Sequence, residues 1–200
     1  MLPGNSEVPR ALGLIARREG NWDQSIAYWE QALVLDPRNV ELLWDSAETY
    51  SMVRQFPAAL KLYDRALDVT PNDPDMLAAK ASIYQAEGNL QEAARFLSGI
   101  TWQTAREGTN QIKITQFRLE RNYSEAVRLL EARQAHFHFG TEIERVTNQL
   151  LLAFAQRLAG DIDGAKAACQ QARNTLEPLR KNQPDNAYIA GVLSLASATL

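Results

Sequence analysis

Two histidines, one cysteine and a set of recurring arginines are the side chains here with chemistry to offer. His136 and His138 stand two apart in the run His136-Phe137-His138-Phe139-Gly140. That spacing suits a metal edge on a strand. No carboxylate or thiol stands beside them at ligand spacing, and a closed zinc site needs a full tetrahedral set. The run therefore reads as a helix end followed by a loop whose phenylalanines pack on the next element. Cys169 falls on an apolar slot with nothing adjacent to lower its pKa, so it reads as an inert buried thiol. A single cysteine also excludes a disulfide within the chain. The sequence holds no glycine-rich phosphate loop, no His-Glu-x-x-His and no Cys-x-x-Cys. The expectation is a chain that is not an enzyme and takes no cofactor and no metal.

Recognition is the other chemistry to consider. Trp44 and Met52 are eight residues apart, about two helical turns, so on a helix they share one face. They read either as packing against a neighbouring element or as an apolar anchor for a partner, since interface anchors favour Trp and Met. Arg17, Arg118 and Arg157 recur, with Arg10 and Arg18 near the first of them and Glu7, Glu41 and Glu48 interleaved. The plain reading is a solvated charged face. The sharper one is a cradle for carboxylates, which arginine grips with two parallel hydrogen bonds.

A site exists only if helices hold these residues in place. The turn Gly20-Asn21-Trp22 recurs as Arg54-Gln55-Phe56, Gly88-Asn89-Leu90, Arg121-Asn122-Tyr123 and Gly160-Asp161-Ile162, at spacings of 34, 34, 33 and 39 residues. Five residues after each turn starts comes a small residue: Ser25, Ala59, Ala93, Ala126 and Ala165. Seven further on lie Ala32, Ala66 and Ala172, while Ile100 and Arg133 break the rule. Each unit reads as two short amphipathic helices. The turn favours a residue that tolerates positive φ or bonds locally. The apolar residue after it (Trp22, Phe56, Leu90, Tyr123, Ile162) wedges between the helices. Small residues at Gly13, Ala47, Ala81 and Ala153 permit close approach, and Trp29, Tyr63, Leu97, Leu130 and Cys169 fill the space above them. Asn39-Val40-Glu41 and Asp73-Pro74 are helix starts, and Pro37 and Pro71 are stops.

Leu12-Gly13, Gly20, Trp22, Ile26, Trp29, Ala32-Leu33, Leu35-Asp36-Pro37 and Asn39 resemble the tetratricopeptide-repeat (TPR) consensus slot for slot, and residues 40–73 nearly as well. The resemblance implies an all-α, right-handed superhelical solenoid. It implies a single array over residues 6–200, in units of roughly 6–39, 40–73, 74–106, 107–145 and 146–186, with a further first helix at 187–200 and residues 1–5 either disordered or foreign to the native protein. It also implies that the first helices line a concave groove. On the groove face of this register stand Arg10, Arg17, Arg18, Trp44, Glu48, Met52, Gln85, Arg118 and Arg157. The expected function is a protein–protein interaction scaffold that holds a peptide or protein segment there. Trp44 and Met52 would anchor an apolar side chain, and Arg17 and Arg18 would meet a carboxylate. The carboxylate clamp of chaperone-binding relatives maps onto Arg10, Leu14, Asp45, Asp75 and Ala79. Only Arg10 keeps the required charge, and two aspartates would repel a carboxylate. The style of repeat resembles the TPR regions of multidomain bacterial signalling proteins. The alternatives are a spacer or self-association module, or the accessory region of an enzyme whose catalytic domain lies elsewhere.

Composition agrees with a water-exposed helical chain: 200 residues, 46% hydrophobic and 22% charged, with a net charge of −3. That balance argues against broad nucleic-acid binding, which needs a basic surface to displace counterions. No apolar run reaches membrane-spanning length, and the first residues do not read as a signal peptide. A cytoplasmic location is the expectation. Two irregularities stand out. Ser98-Gly99-Ile100-Thr101-Trp102 interrupts the third unit, and the polar stretch to Lys113 predicts a soft boundary between units three and four. The last helix predicts a fragment of a longer array, with Ile189, Val192, Leu193, Leu195 and Leu200 partly exposed and available for self-association.

Overall fold

The computed structural model describes residues 5–101 and 107–198, and among these it holds eleven helices and no strand. They are α1 (Glu7–Arg18), α2 (Trp22–Leu35), α3 (Val40–Met52), α4 (Phe56–Val69), α5 (Pro74–Ala86), α6 (Leu90–Leu97), α7 (Glu107–Leu119), α8 (Tyr123–His136), α9 (Glu142–Ala159), α10 (Ile162–Asn182) and α11 (Ala187–Ala198). The chain divides into two compact units, Met1–Ile112 and Lys113–Leu200. Among the described residues no helix is long and apolar enough to cross a membrane.

The five recurring turns share one backbone geometry. Gly20, Arg54, Gly88, Arg121 and Gly160 have φ of 77°, 61°, 79°, 56° and 89°. The residue after each sends its N–H back to the helix it has just left: Asn21 to Ala16, Gln55 to Tyr50, Asn89 to Tyr84, Asn122 to Phe117 and Asp161 to Gln156, all at 2.8–2.9 Å. The turn residue itself donates to a carbonyl three back, as Gly20 does to Arg17. These paired bonds close the helix end with its orphan carbonyls satisfied. Longer links between pairs use side-chain caps. Asn39 accepts from the amides of Glu41 and Leu42, and Asp73 from those of Asp75 and Met76.

Packing follows the small-residue slots. Ser25, Ala59, Ala93 and Ala126 are fully buried and Ala165 nearly so, which lets the paired helices approach. In the first unit Leu43, Ala47, Leu62, Tyr63, Met76, Ala79 and Ile83 form one continuous core. In the second, Val146, Leu150, Cys169, Leu176, Ile189 and Val192 form another.

The irregular slots resolve physically. α6 has only 8 residues, yet Ile100 beyond its end folds back into the cluster with Ala78, Ala81 and Leu97. Trp102 and the polar run after it to residue 106 lie outside the described residues. Arg133 stands fully buried where a small residue is the rule. Its guanidinium lies 4.6 Å from the Phe137 ring and 5.8 Å from that of Phe139, and its Nε donates to Asn148. The phenylalanines of the histidine run are thus in place to cover a buried cation. The fifth helix pair begins at Glu142, earlier than the repeat spacing implies, because Thr141 caps it by accepting from the Glu144 amide. α10 continues through Pro178 to Asn182.

The apolar stripe of α11 differs from the sequence expectation. Ile189 and Val192 are buried in the α9–α10 core, and Leu193 packs against it. The longer α10 supplies the wall that a repeat of ordinary length would lack. Leu195 is the exposed member of the stripe among the described residues, and Leu200 lies outside them.

Candidate functional site

In the first unit, side chains of the odd-numbered helices meet directly. Arg10 on α1 pairs with Glu41 at 2.8 Å and Asp45 at 3.3 Å on α3. Arg17, about two turns further along the same face of α1, lies 3.3 Å from the Asp45 carbonyl, 3.5 Å from Glu48 and 3.5 Å from the Thr49 hydroxyl. Its guanidinium also lies 5.9 Å from the Trp29 ring centre. On the other side, Gln85 of α5 donates to the Ile112 carbonyl of α7 at 3.0 Å, and Thr109 donates to Asp75.

Between these contacts lies a cleft of about 340 Å³, lined by Trp44, Glu48, Ser51 and Met52 of α3, Tyr63 of α4, Asp75, Ala79 and Ser82 of α5, and Gly108, Thr109 and Ile112 of α7. Trp44 stands edge-on to Tyr63, ring centres 5.7 Å apart. Met52 is 56% exposed, a large apolar side chain at the cleft with its surface in water. Glu48 lies 3.5 Å from Arg17 across the α1–α3 contact. Burial raises its pKa above the ordinary value, against the opposing charge of Arg17. Burial, then the charge of Glu48, holds the Tyr63 phenol well above its usual range. A second recess of about 230 Å³ shares Trp44 and Asp75 with the first and adds Arg10, Val40, Glu41, Asp45, Asp73 and Met76.

The structure therefore brings Arg10, Arg17, Trp44, Glu48 and Met52 together in the first unit, while Gln85 on α5 bonds to the Ile112 carbonyl and lines neither hollow. Arg17 differs from the role the sequence suggested. Its side chain is 17% exposed and turned toward Asp45 and Glu48. Arg18 is exposed. Arg118 and Arg157 belong to the second unit. Arg118 borders a hollow of about 280 Å³ with Ile114, Leu151, Phe154, Ala155 and Leu158, and Arg157 is exposed on the last turn of α9. Arg17, Gln85, Arg118 and Arg157 also share one backbone position, as Ser51 does in the second repeat. Each supplies the carbonyl that accepts from the positive-φ turn residue, and the arginines among them also suit the negative end of the helix dipole.

Sequence reasoning missed Tyr63 and Ile112 as lining residues. Tyr63 sits on a second helix, which the first-helix rule does not scan, and Ile112 follows the irregular third unit. Asp75 and Ala79, named only as clamp slots, also line the cleft. His136 and His138 are exposed, and among the described residues no group of three or more His, Cys, Asp or Glu could hold a metal ion. Cys169 is fully buried.

Comparison with known proteins agrees with the repeat geometry. A tetratricopeptide-repeat family model matches residues 16–83. The photosystem I assembly protein Ycf3 of Prochlorococcus marinus (strain NATL1A) is 29% identical over 83 residues, which are 40% of this chain and 48% of that protein. The match thus spans about half the length of that relative. A tetratricopeptide repeat protein from Parabacteroides merdae ATCC 43184 superposes with a TM-score of 0.65 at 17% identity, over 98% of this chain and 86% of that one. PilW, a type IV pilus biogenesis factor, gives 0.66 at 18% identity over 97% and 90%. With its five repeated turns and the eleven helices among its described residues, the chain is an all-α helical-repeat protein whose residues 16–83 match the tetratricopeptide-repeat model and whose fold is similar to that of solved tetratricopeptide-repeat proteins.

Proposed function

We propose that the chain is a protein–protein interaction scaffold that holds a segment of its partner in the cleft around Trp44 and Met52. One observation carries the reading. A largely apolar cleft of about 340 Å³ lies on the first-helix face, with a half-exposed methionine at its edge and an indole on its wall. Its volume suits one large apolar side chain, and indoles at such positions dominate interface energetics. Ycf3 and PilW carry assembly and biogenesis in their names, and a scaffold that holds a partner segment fits work of that kind.

Trp44→Ala tests the reading. Removing a buried anchor loses ~2 kcal/mol of binding or more. The variant should keep its fold and lose partner affinity. A sharp fall in melting temperature with affinity intact at low temperature would show that Trp44 serves packing alone. The last helix favours a second reading, self-association, because Tyr188 and Leu195 are 57% and 52% exposed. Sedimentation that is identical for the parent and a Leu195→Glu variant at all concentrations would dismiss it.

A further inference from the structure

We propose that the occupant of the Trp44 cleft is a basic–apolar segment, a large apolar side chain with a lysine or arginine one or two residues away. The inference rests on the cleft reading above and adds the charge of the partner, which is opposite to the carboxylate that the sequence suggested.

Charge complementarity carries it. Glu41, Asp45 and Glu48 follow at helical spacing along the face of α3 that bears Trp44. The recess that adjoins the cleft gathers Glu41, Asp45, Asp73 and Asp75, and Arg10 is the one cation among its described lining residues. The apolar cleft carries Glu48 and Asp75 and no lysine or arginine among its described lining residues. The two nearby arginines on α1 are directed at these same acids. Arg10 reaches Glu41 and Asp45, and Arg17 reaches Asp45 and Glu48. Against these two cations stand Glu41, Asp45, Glu48 and Asp73, so negative charge is in excess without counting Asp75. A carboxylate on the partner would meet like charge. A cation beside the apolar anchor would instead meet the acids of the recess and the Trp44 ring that both hollows share.

The arrangement also divides the work. The apolar side chain fills the larger hollow, and the cation one or two residues away enters the smaller. An extended chain advances roughly 3.3 Å per residue, and the shared wall of Trp44 and Asp75 keeps the hollows adjacent.

A random-peptide display library selected against the full chain tests the proposal, followed by binding measurements on the enriched peptides as synthetic probes. The expected enrichment is Lys or Arg within two residues of Leu, Met, Phe or Trp. Affinity should fall about tenfold in the Glu41→Gln, Glu48→Gln double variant, the sum of two partly exposed charge contacts. It should fall again with added salt. Trp44→Ala should abolish binding, with Met52→Ala as the second probe if the first variant loses its fold. Enrichment of acidic–apolar or neutral peptides that these two variants no longer bind would overturn the charge assignment and leave the cleft reading standing. Enriched peptides indifferent to both variants, or no enrichment at all, would overturn both.

Discussion

The Trp29 indole lies so close over Gly13 that a Cβ at that glycine would meet the ring atoms Cε2 and Cζ2 at 2.9 and 3.0 Å. The contact is closed by a buried relay. The indole N–H of Trp29 donates to the Ser25 hydroxyl at 3.0 Å, and that hydroxyl donates to the Gly13 carbonyl at 2.9 Å. Ser25 occupies the slot that is alanine in every other unit because only here does an indole N–H need an acceptor. Gly13→Ala should destabilise by about 1–3 kcal/mol through overpacking. Ser25→Ala should lose a similar amount by leaving the buried indole donor unpaired. Urea unfolding should show that Ser25→Ala combined with Trp29→Phe loses less than the sum of the single changes. Additive losses would mean that the relay carries no energy.

Arg54 and Arg121 hold positive φ, 61° and 56°, at positions where the other three units have glycine. A non-glycine residue in that conformation is strained by about 1–2 kcal/mol, less the extra entropy that glycine loses on folding. Arg54→Gly and Arg121→Gly should each raise stability by about 0.5–1 kcal/mol. Arg54→Gly should gain the less, because it gives up a guanidinium 5.8 Å from the Phe56 ring. A fall in stability for Arg121→Gly would contradict the strain account.

The turns, the small-residue slots and the caps Asn39 and Asp73 were legible because each depends on a few residues close in sequence. The recurrence of Gly20, Arg54, Gly88, Arg121 and Gly160 marked the five positive-φ turns within the helix pairs even where arginine stands for glycine, but not Asn72, whose φ is 64°. Arg133 and Ile100 were legible as exceptions but not in consequence. Their burial depends on Phe137, Phe139 and Asn148 in one case and on Ala78 and Leu97 in the other, partners that local pattern does not name. That Trp44, Glu48 and Met52, which all line the cleft, share a face was legible because they lie on one helix. The charge balance was not, because whether Arg17 is offered to a partner depends on Asp45 and Glu48, about thirty residues away.

Glu48 should make stability depend on pH in an identifiable direction. Burial, the largest cause, raises its folded pKa above the ordinary value near 4.5, so the folded state holds the proton more tightly than the unfolded state. The favourable contribution is fully present below the ordinary carboxylate pKa and is lost as pH rises through the folded pKa. Glu48→Gln should therefore melt higher than the parent at neutral pH, and the gap should close below the ordinary carboxylate range. A gap that widens on acidification would reverse the sign and the account.

α6 should exchange its amides sooner than α4. It has 8 residues with Ala93 and Leu97 buried, against 14 residues in α4 with Ala59, Leu62, Tyr63 and Ala66 buried. Fewer buried contacts permit opening at lower free energy. Hydrogen exchange read over residues 90–97 and 56–69 should show the difference, and equal protection would argue that the interrupted third unit is as firm as the second.

The most direct test of the cleft uses its own methionine. Met52 is 56% exposed at the cleft edge and Met76 is 5% exposed in the core. With carbon-13 labels on the methionine methyls, a library-selected basic–apolar peptide added to the full chain should move the Met52 signal and give it contacts to the peptide's apolar side chain. Met76 should move less. A Met52 signal unchanged at saturating peptide would place the bound segment elsewhere and contradict the cleft as the site of recognition.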